Sequence, residues 1–290
     1  MKKILLQLDG DRTPSVFDAI TAYDAGVDAL LQHGSVEPAE VRAIVYGAMF
    51  TRGGDALKNS AVFIGGADVA KGEAMLKEAC GAFFGPVRVS VMLDANGCNT
   101  TATAAVVKLL SAGDLRGKKV VVLAGTGPVG RRAAGLLAKE GADVVVAETL
   151  PTETMERATA ACADINERFG VTVTPGAAPD VEGTSCVLDG AEAVLCTCAA
   201  GMQLVPEKLW REHPTLRVLG DVNAVPPLGL EGTKATWDGK DVDGRIVFGA
   251  LGIGGFKMKV HHRAVERLFE QNDLVLDAEE VFALARELAG

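Results

Sequence analysis

The sequence predicts an α/β protein built from two parallel-sheet domains, and three observations carry that expectation. Short apolar runs alternate with helical stretches along the whole chain, the pattern of strands buried beneath crossover helices. Apolar residues make up 48% of the sequence and aromatic ones only 5%, so the interior must be aliphatic and rich in alanine. A length of 290 residues suits two hydrophobic cores better than one.

The first half opens with an apolar strand over residues 4–8. A helix is expected to open at Thr13-Pro14, because proline suits a first helical turn, and Gly26 should stop it. A strand near 27–31, a helix from about Pro38, a strand at 61–64, a helix near 71–83 and a strand at 87–93 complete this half. A helix over 100–112 leaves it. A second series begins at 118–123, with further strands near 144–147, 171–174, 193–198 and 216–221. From Lys257 the remaining residues read as helix, with Asp277 capping the part over 281–288. The expected division is a substrate domain of residues 1–100, joined by C-terminal helices 257–290, and a nucleotide domain of residues 101–256.

A formal charge of −9 favours solubility and argues against a nucleic-acid or anionic-membrane partner. It leaves room for an anionic small molecule, which a helix N-terminus binds without net positive charge. No window approaches the roughly 20 apolar residues of a membrane span. The apolar start Ile4-Leu5-Leu6 is broken by Gln7 and Asp9, and no small-residue cleavage site follows. Six cysteines (80, 98, 162, 186, 196 and 198) are scattered and include no Cys-x-x-Cys. A reduced, cytoplasmic location is therefore expected, with the thiols as small core residues and no metal site.

After Lys119, the run Val120-Val121-Val122-Leu123-Ala124 is an apolar strand of the central parallel kind. It leads directly into Gly125-Thr126-Gly127-Pro128-Val129-Gly130, and a helix follows. In such a turn Gly125 permits the tight bend, Gly127 lets the backbone approach a pyrophosphate, and Gly130 lets helix and strand pack closely. A second apolar strand ends at Glu148, 23 positions after Gly125. A carboxylate there bonds the ribose 2′-hydroxyl of NAD and repels the 2′-phosphate of NADP. Strand, glycines, helix, second strand and terminal acid together predict a Rossmann domain. No Arg or Lys occurs between Glu148 and Arg157, so NAD is the expected cofactor and NADP the second choice. Asp221 and Asn223 close one later strand near the expected nicotinamide; Thr197 and Ala199 close the strand before it and either line the same cofactor or pack in the core. Pro226-Pro227, just beyond, is a candidate for a cis bond.

Several segments outside the glycine turn carry a more specific pattern. They are Asp11-Arg12-Thr13-Pro14-Ser15-Val16-Phe17-Asp18, Thr51-Arg52-Gly53-Gly54 and Ser90-Val91-Met92-Leu93-Asp94-Ala95-Asn96-Gly97-Cys98-Asn99-Thr100-Thr101. Two more are Asp221-Val222-Asn223-Ala224-Val225-Pro226-Pro227-Leu228-Gly229 and Phe248-Gly249-Ala250-Leu251-Gly252-Ile253-Gly254-Gly255-Phe256-Lys257. Together they resemble the bacterial NAD(P)-dependent methylene-tetrahydromethanopterin dehydrogenases of one-carbon metabolism, over essentially the whole chain. The resemblance implies a fold akin to methylene-tetrahydrofolate dehydrogenases, with a substrate cleft between two α/β domains. It also implies a tetrahydromethanopterin-type carrier, oxidation of its methylene to the methenyl form, and a homo-oligomer, a trimer. NADP-specific relatives carry a basic residue after the second Rossmann strand, where this chain has Glu148-Thr149-Leu150. Two other readings stay open: a methylene-tetrahydrofolate dehydrogenase and a non-catalytic NAD-sensing protein.

The chemistry narrows what to look for. The methylene carbon bridges two nitrogens, so hydride loss leaves a cation spread over N–C–N and no O–H proton has to move. No obligatory general base is expected; positioning and a field that tolerates positive charge suffice. Asp94, Asn96 and Asn99 follow the fourth strand, at the carboxyl end where α/β sheets bind ligands, and are candidates for pterin binding. Turn chemistry and helix capping are their alternative, since Asn99 directly precedes the helix expected from Thr100. Asp11, Thr13 and Phe17 follow the first strand by the same logic, with an N-cap as the alternative for Thr13. Four glycines within 249–255 suggest backbone passing close to a ligand. Lys257 comes next, at an expected helix start, where the helix dipole disfavours a purely structural cation. It is the candidate catalytic residue, bonding the pterin carbonyl or orienting the ring.

Overall fold

The leucine-rich run after Lys3 becomes β1 (Ile4–Asp9), a strand buried along nearly its whole length. The structure is a computed structural model that describes residues 1–150 and 155–290. In it β1 pairs in parallel with β2 (Ala29–His33) on one side and β3 (Ser60–Gly65) on the other. Numbering strands along the chain, the sheet continues through β4 (Ser90–Leu93) to β12 (Val275–Leu276), again in parallel. Its order is β12-β4-β3-β1-β2. β1, β3 and β4 are buried on both faces, and their mostly apolar residues made them legible even though Gln7 and Asp9 interrupt β1. The chain separates into two units, Met1–Thr100 with Met258–Gly290, and Thr101–Lys257.

Helices α1 (Val16–Asp24), α2 (Pro38–Phe50) and α3 (Val69–Gly81) cross over between the first four strands. Local chemistry sets their starts. Asp68 caps α3, accepting from Lys71 N–H, while Glu37 and Glu40 close a capping box around α2 with Pro38 in its first turn. The expected opening of α1 at Thr13-Pro14 is corrected. Ser15 is the cap, its hydroxyl accepting from Asp18 N–H at 3.2 Å, and Asp9 holds Ser15 N–H at 3.0 Å. Gly26 does follow the helix end, in the left-handed region at φ +82°.

The second unit holds a seven-stranded sheet. Its strands are β5 (Lys119–Leu123), β6 (Asp143–Glu148), β7 (Thr174–Ala177), β8 (Ala193–Cys196), β9 (Val218–Asp221), β10 (Asp238–Val242) and β11 (Arg245–Phe248). The order β10-β11-β9-β8-β5-β6-β7 is the Rossmann order with one added antiparallel edge strand. Helices α5 (Pro128–Lys139), α6 (Glu156–Phe169), α7 (Val181–Leu188) and the short α8 (Glu207–Arg211) connect the strands. Under the sheet, Val121, Leu123, Val194, Leu219 and Trp210 share one core, and the Trp210 indole N–H donates to Glu231 O at 2.9 Å.

Three further expectations are corrected here. β7 begins at Thr174, so the strand expected from Val171 lies three residues further on. The hairpin of β10 and β11 was not foreseen, because β10 is polar and exposed; its charges suit an edge that must not pair with other chains. The C-terminal region is not one helical stretch from Lys257. Helix α9 (Ala250–Arg267) starts seven residues earlier, and β12 intervenes before α10 (Ala278–Ala289), which Asp277 caps as expected. Helix α4 (Cys98–Ser111) begins two residues before Thr100.

No disulfide joins any of the six cysteines. Burial pushes the Cys162 thiol up to about 11, and burial with the nearby Asp221 charge pushes Cys198 to about 11. Cys186 departs from the core expectation and is exposed. Among the described residues no helix is long and apolar enough to cross a membrane.

Candidate active site

The glycine turn sits at the carboxyl end of β5, beside β8, where the order of this sheet reverses and ligands of such folds bind. Ala124 takes the left-handed region at φ +55°, and Gly125 N–H donates to Ala147 O at 3.1 Å. A Cβ on Gly125 would lie 2.7 Å from Val122 O, and one on Gly130 would lie 2.6 Å from Gly125 Cα. Packing alone therefore requires both glycines. Gly127 differs: a Cβ there would meet only Ala124 O, at 3.8 Å. Its small size has no internal packing reason and fits a backbone that must face a pyrophosphate. Gly127 caps α5 with no side-chain cap, Pro128 occupies its first turn and Val129 follows, and the first N–H groups of any helix lack an intrahelical acceptor.

Side chains brace this turn. Arg131 donates through Nε to Thr126 O at 2.8 Å and pairs with Asp164 of α6 at 2.6 Å. The Thr197 hydroxyl lies 3.0 Å from Leu123 O and 3.1 Å from Ala124 O, so it holds the left-handed residue in place. Ala199 lies exposed in the turn after β8. Asp221, buried at the end of β9, accepts from Asn223 N–H at 2.9 Å and Leu230 N–H at 3.1 Å. Burial raises its carboxyl above the usual range despite the backbone N–H groups that favour the charge. Asn223 donates to Pro227 O and accepts from Val225 N–H, and the Pro226-Pro227 bond is cis. Asp221 and Asn223 thus fix the loop that follows β9.

Glu148 ends β6 with its side chain only 4% exposed. One oxygen accepts from Thr149 N–H at 2.9 Å and Leu150 N–H at 3.0 Å. The other accepts from the Thr126 hydroxyl at 3.0 Å and lies 3.3 Å from Arg157 Nε. Burial works against its charge, but hydrogen bonds from Leu150, Thr126 and Thr149, with the Arg157 guanidinium, outweigh it and lower the pKa. Arg157 corrects an expectation. Counting residues along the chain found no base close after Glu148, but the first turn of α6 brings one back to it.

In the first unit the sheet order reverses between β1 and β3, and their loops are tied together. Asp9 accepts from Asp11 N–H at 2.8 Å, and Asp11 accepts from Ala67 N–H at 3.0 Å across the gap. Thr13 is exposed and caps nothing, since Ser15 has that role. Phe17 is 47% exposed, its ring 6.1 Å from that of His261. Asp94 is 1% exposed and accepts from Asn99 N–H (2.9 Å), Thr100 N–H (3.0 Å) and the Thr100 hydroxyl (2.6 Å). Asn99 lies inside the first turn of α4, not ahead of it; its amide donates to Leu93 O at 2.6 Å and to Asp277 at 2.9 Å. Asn96 alone of the three is exposed, at φ +52°, with its N–H donating to Gly66 O at 2.7 Å.

His261 was missed. It is buried, stacked on Phe63 with centroids 5.6 Å apart, and its Nδ1 lies 3.8 Å from the Asp94 carboxylate. A lone histidine in a helix carries no sequence signal; only the placement of α9 brings it to Asp94. Lys257 is half-buried and stands in the middle of α9. The dipole argument for it therefore fails, since the dipole acts within a terminal turn. The glycines before it are also reassigned in part. A Cβ on Gly249 would collide with Lys234 O and one on Gly252 with Trp237 O, so these two let α9 dock on its preceding loop. Gly254 and Gly255 have no such neighbour.

The Rossmann strand order, with the open glycine at position 127 in the turn where that order reverses, marks the second unit as an α/β fold of the dinucleotide-binding class. A family profile described as methylene-tetrahydromethanopterin dehydrogenase, N-terminal, matches residues 16–96. Bifunctional protein MdtA of Methylorubrum extorquens is 46% identical over 290 residues, 99% of each chain. The NAD(P)-dependent methylenetetrahydromethanopterin dehydrogenase of the same organism is 30% identical over 304 aligned residues, covering 100% of this chain and 99% of its own. The chain belongs to the methylene-tetrahydromethanopterin dehydrogenase family. Among solved structures, quinate dehydrogenase from Corynebacterium glutamicum in complex with NAD shares the fold, with TM-score 0.55 and 16% identity over 99% of this chain and 100% of that one.

Proposed function

We propose that the chain transfers a hydride from a methylene-tetrahydromethanopterin-type carrier to NAD(P)⁺, giving the methenyl form, as an enzyme of one-carbon metabolism. The observation that carries this is similarity over the full length, both units included, to a relative named for that activity. When bound, the nicotinamide supplies the carbon that accepts the hydride. The residues of the chain then have a task of placement. Gly125, Gly127 and Gly130, with the first N–H groups of α5, hold the pyrophosphate, and Thr126 and Glu148 shape the adenosine end. Thr197 and Ala199, with the loop that Asp221 and Asn223 fix, border the nicotinamide.

For the carrier we assign Asp11, Thr13, Phe17 and Asn96 as contacts, with Asp94 and Asn99 holding the turn that presents Asn96. A carboxylate such as Asp11 favours the cation that hydride loss leaves behind, and no side chain needs to take a proton. Lys257 is assigned to the oxygen-bearing edge of the pterin, away from the reacting carbon, where its charge would oppose the developing cation.

The near-ultraviolet band of reduced nicotinamide tests this reading. It should grow when the methylene carrier is added with NAD, at least as fast as with NADP; no growth with either overturns the proposal. In the same assay Lys257→Ala should lower kcat/KM about tenfold to a hundredfold, the loss of one charge-assisted hydrogen bond of roughly 1.5–3 kcal/mol. Dinucleotide affinity should be unchanged. Normal kinetics for the carrier would return Lys257 to a solvated surface role.

Methylene-tetrahydrofolate, whose methylene also bridges two nitrogens, is the second carrier to test. The same assay with that carrier decides it. A cytoplasmic homo-oligomer completes the proposal. Six cysteines without a disulfide support a reducing compartment, and the exposed Val16, Ile20 and Tyr23 of α1 support self-association. Light scattering that returns a monomer mass would exclude the oligomer.

A further inference from the structure

We infer that Arg157 sets cofactor choice, receiving the 2′-phosphate of NADP while its pairing with Glu148 keeps the site open to NAD. This rests on the dinucleotide site proposed above. An acid that reads the ribose must offer its oxygens to the two hydroxyls. Glu148 does not: one oxygen is occupied by two backbone N–H groups and the other by the Thr126 hydroxyl, and the side chain is 4% exposed. Its carboxylate acts as an anchor for the glycine turn and as a counter-charge. Among the described residues, the charged group that pairs with Glu148 and reaches solvent is the Arg157 guanidinium, whose side chain is 57% exposed.

The geometry of that pair allows two states of the site. Arg157 faces Glu148 through Nε, at 3.3 Å, which leaves the N–H groups of both terminal nitrogens for another acceptor. That planar fork matches a phosphate. Arg157 also lies in the first turn of α6, a helix of 14 residues, where free backbone N–H groups favour an anion. With NAD, the Arg157–Glu148 pair is close to neutral and opposes nothing. With NADP, the outer edge of the guanidinium meets the 2′-phosphate while Nε still covers the Glu148 charge that would repel it. The chain positions between Glu148 and Arg157 hide this from a residue count, because the partner arrives with the next helix.

Calorimetric titration of the whole protein with NAD, NADP, AMP and adenosine 2′,5′-bisphosphate tests the inference without turnover. In Arg157→Ala, affinity for NADP and the bisphosphate should fall about tenfold to a hundredfold, the effect of losing a charge-assisted contact. Affinity for NAD and AMP should move by less than about fivefold, as loss of a half-exposed ion pair allows. Arg157→Lys should recover part of the NADP affinity, since it keeps the charge without the fork. Unchanged NADP affinity in Arg157→Ala overturns the inference, as does an equal fall for NAD and NADP, which would make Arg157 a brace of the loop. Wild-type protein that binds NAD but no NADP also overturns it and leaves the dinucleotide site standing. Wild-type protein that binds neither removes the site itself.

Discussion

Gly130→Ala should cost about 3 kcal/mol of stability and most dinucleotide binding together, the upper range for overpacking against atoms that cannot move. The added methyl would lie 2.6 Å from Gly125 Cα and 2.8 Å from its carbonyl carbon and oxygen. All are backbone atoms of the turn, so α5 must lift off β5 and the cradle opens. Gly127→Ala is the contrasting substitution. Gly127 sits at φ −77°, ψ 169°, where any residue is comfortable, and its methyl would meet only Ala124 O at 3.8 Å. Stability should hold, or rise by up to about 1 kcal/mol through the unfolded chain. Dinucleotide affinity should nonetheless fall at least about tenfold, because the methyl points where the pyrophosphate must approach. Denaturant midpoints and titration read the two effects separately. A Gly127→Ala protein that binds NAD normally would reduce the turn to a packing feature.

Asp94→Ala should destabilise the first unit by about 3 kcal/mol or more, because it removes a buried cap and orphans the groups that used it. Three donors converge on that carboxylate: two backbone N–H groups opening α4 and the Thr100 hydroxyl, with His261 beside them. Asp94→Asn keeps one acceptor oxygen and should lose less. Both are checked by equilibrium unfolding in urea. A loss below about 1 kcal/mol for Asp94→Ala would contradict this capping role.

What the sequence made legible was local. The run from Lys119 through Glu148 shows itself because strand, turn and helix each leave a mark within a few residues, and the glycines obey steric rules set by atoms close in the chain. What stayed hidden depended on distance. The four glycines at 249–255 suggested backbone passing close to a ligand, whereas three of them lie in α9 and Gly249 and Gly252 are set by contact with the preceding loop. The shift from Thr13 to Ser15 at α1 follows from Asp9, which holds Ser15 N–H from the end of a strand. Arg157 meets Glu148, and His261 meets Asp94, only once helices α6 and α9 are packed. The hairpin of β10 and β11 has no apolar alternation to announce it, since its outer strand faces solvent.

Hydride transfer straight from the methylene carbon is decided by isotope. A carrier with two deuteriums on that carbon, turned over in ordinary water with NAD or NADP, should place one deuterium on the reduced nicotinamide ring in each turnover. The other should remain in the methenyl product, with mass spectrometry reading both. Deuterium released to solvent, with none on the nicotinamide, would contradict transfer between two placed ligands and require an acid–base step for which no residue has been assigned.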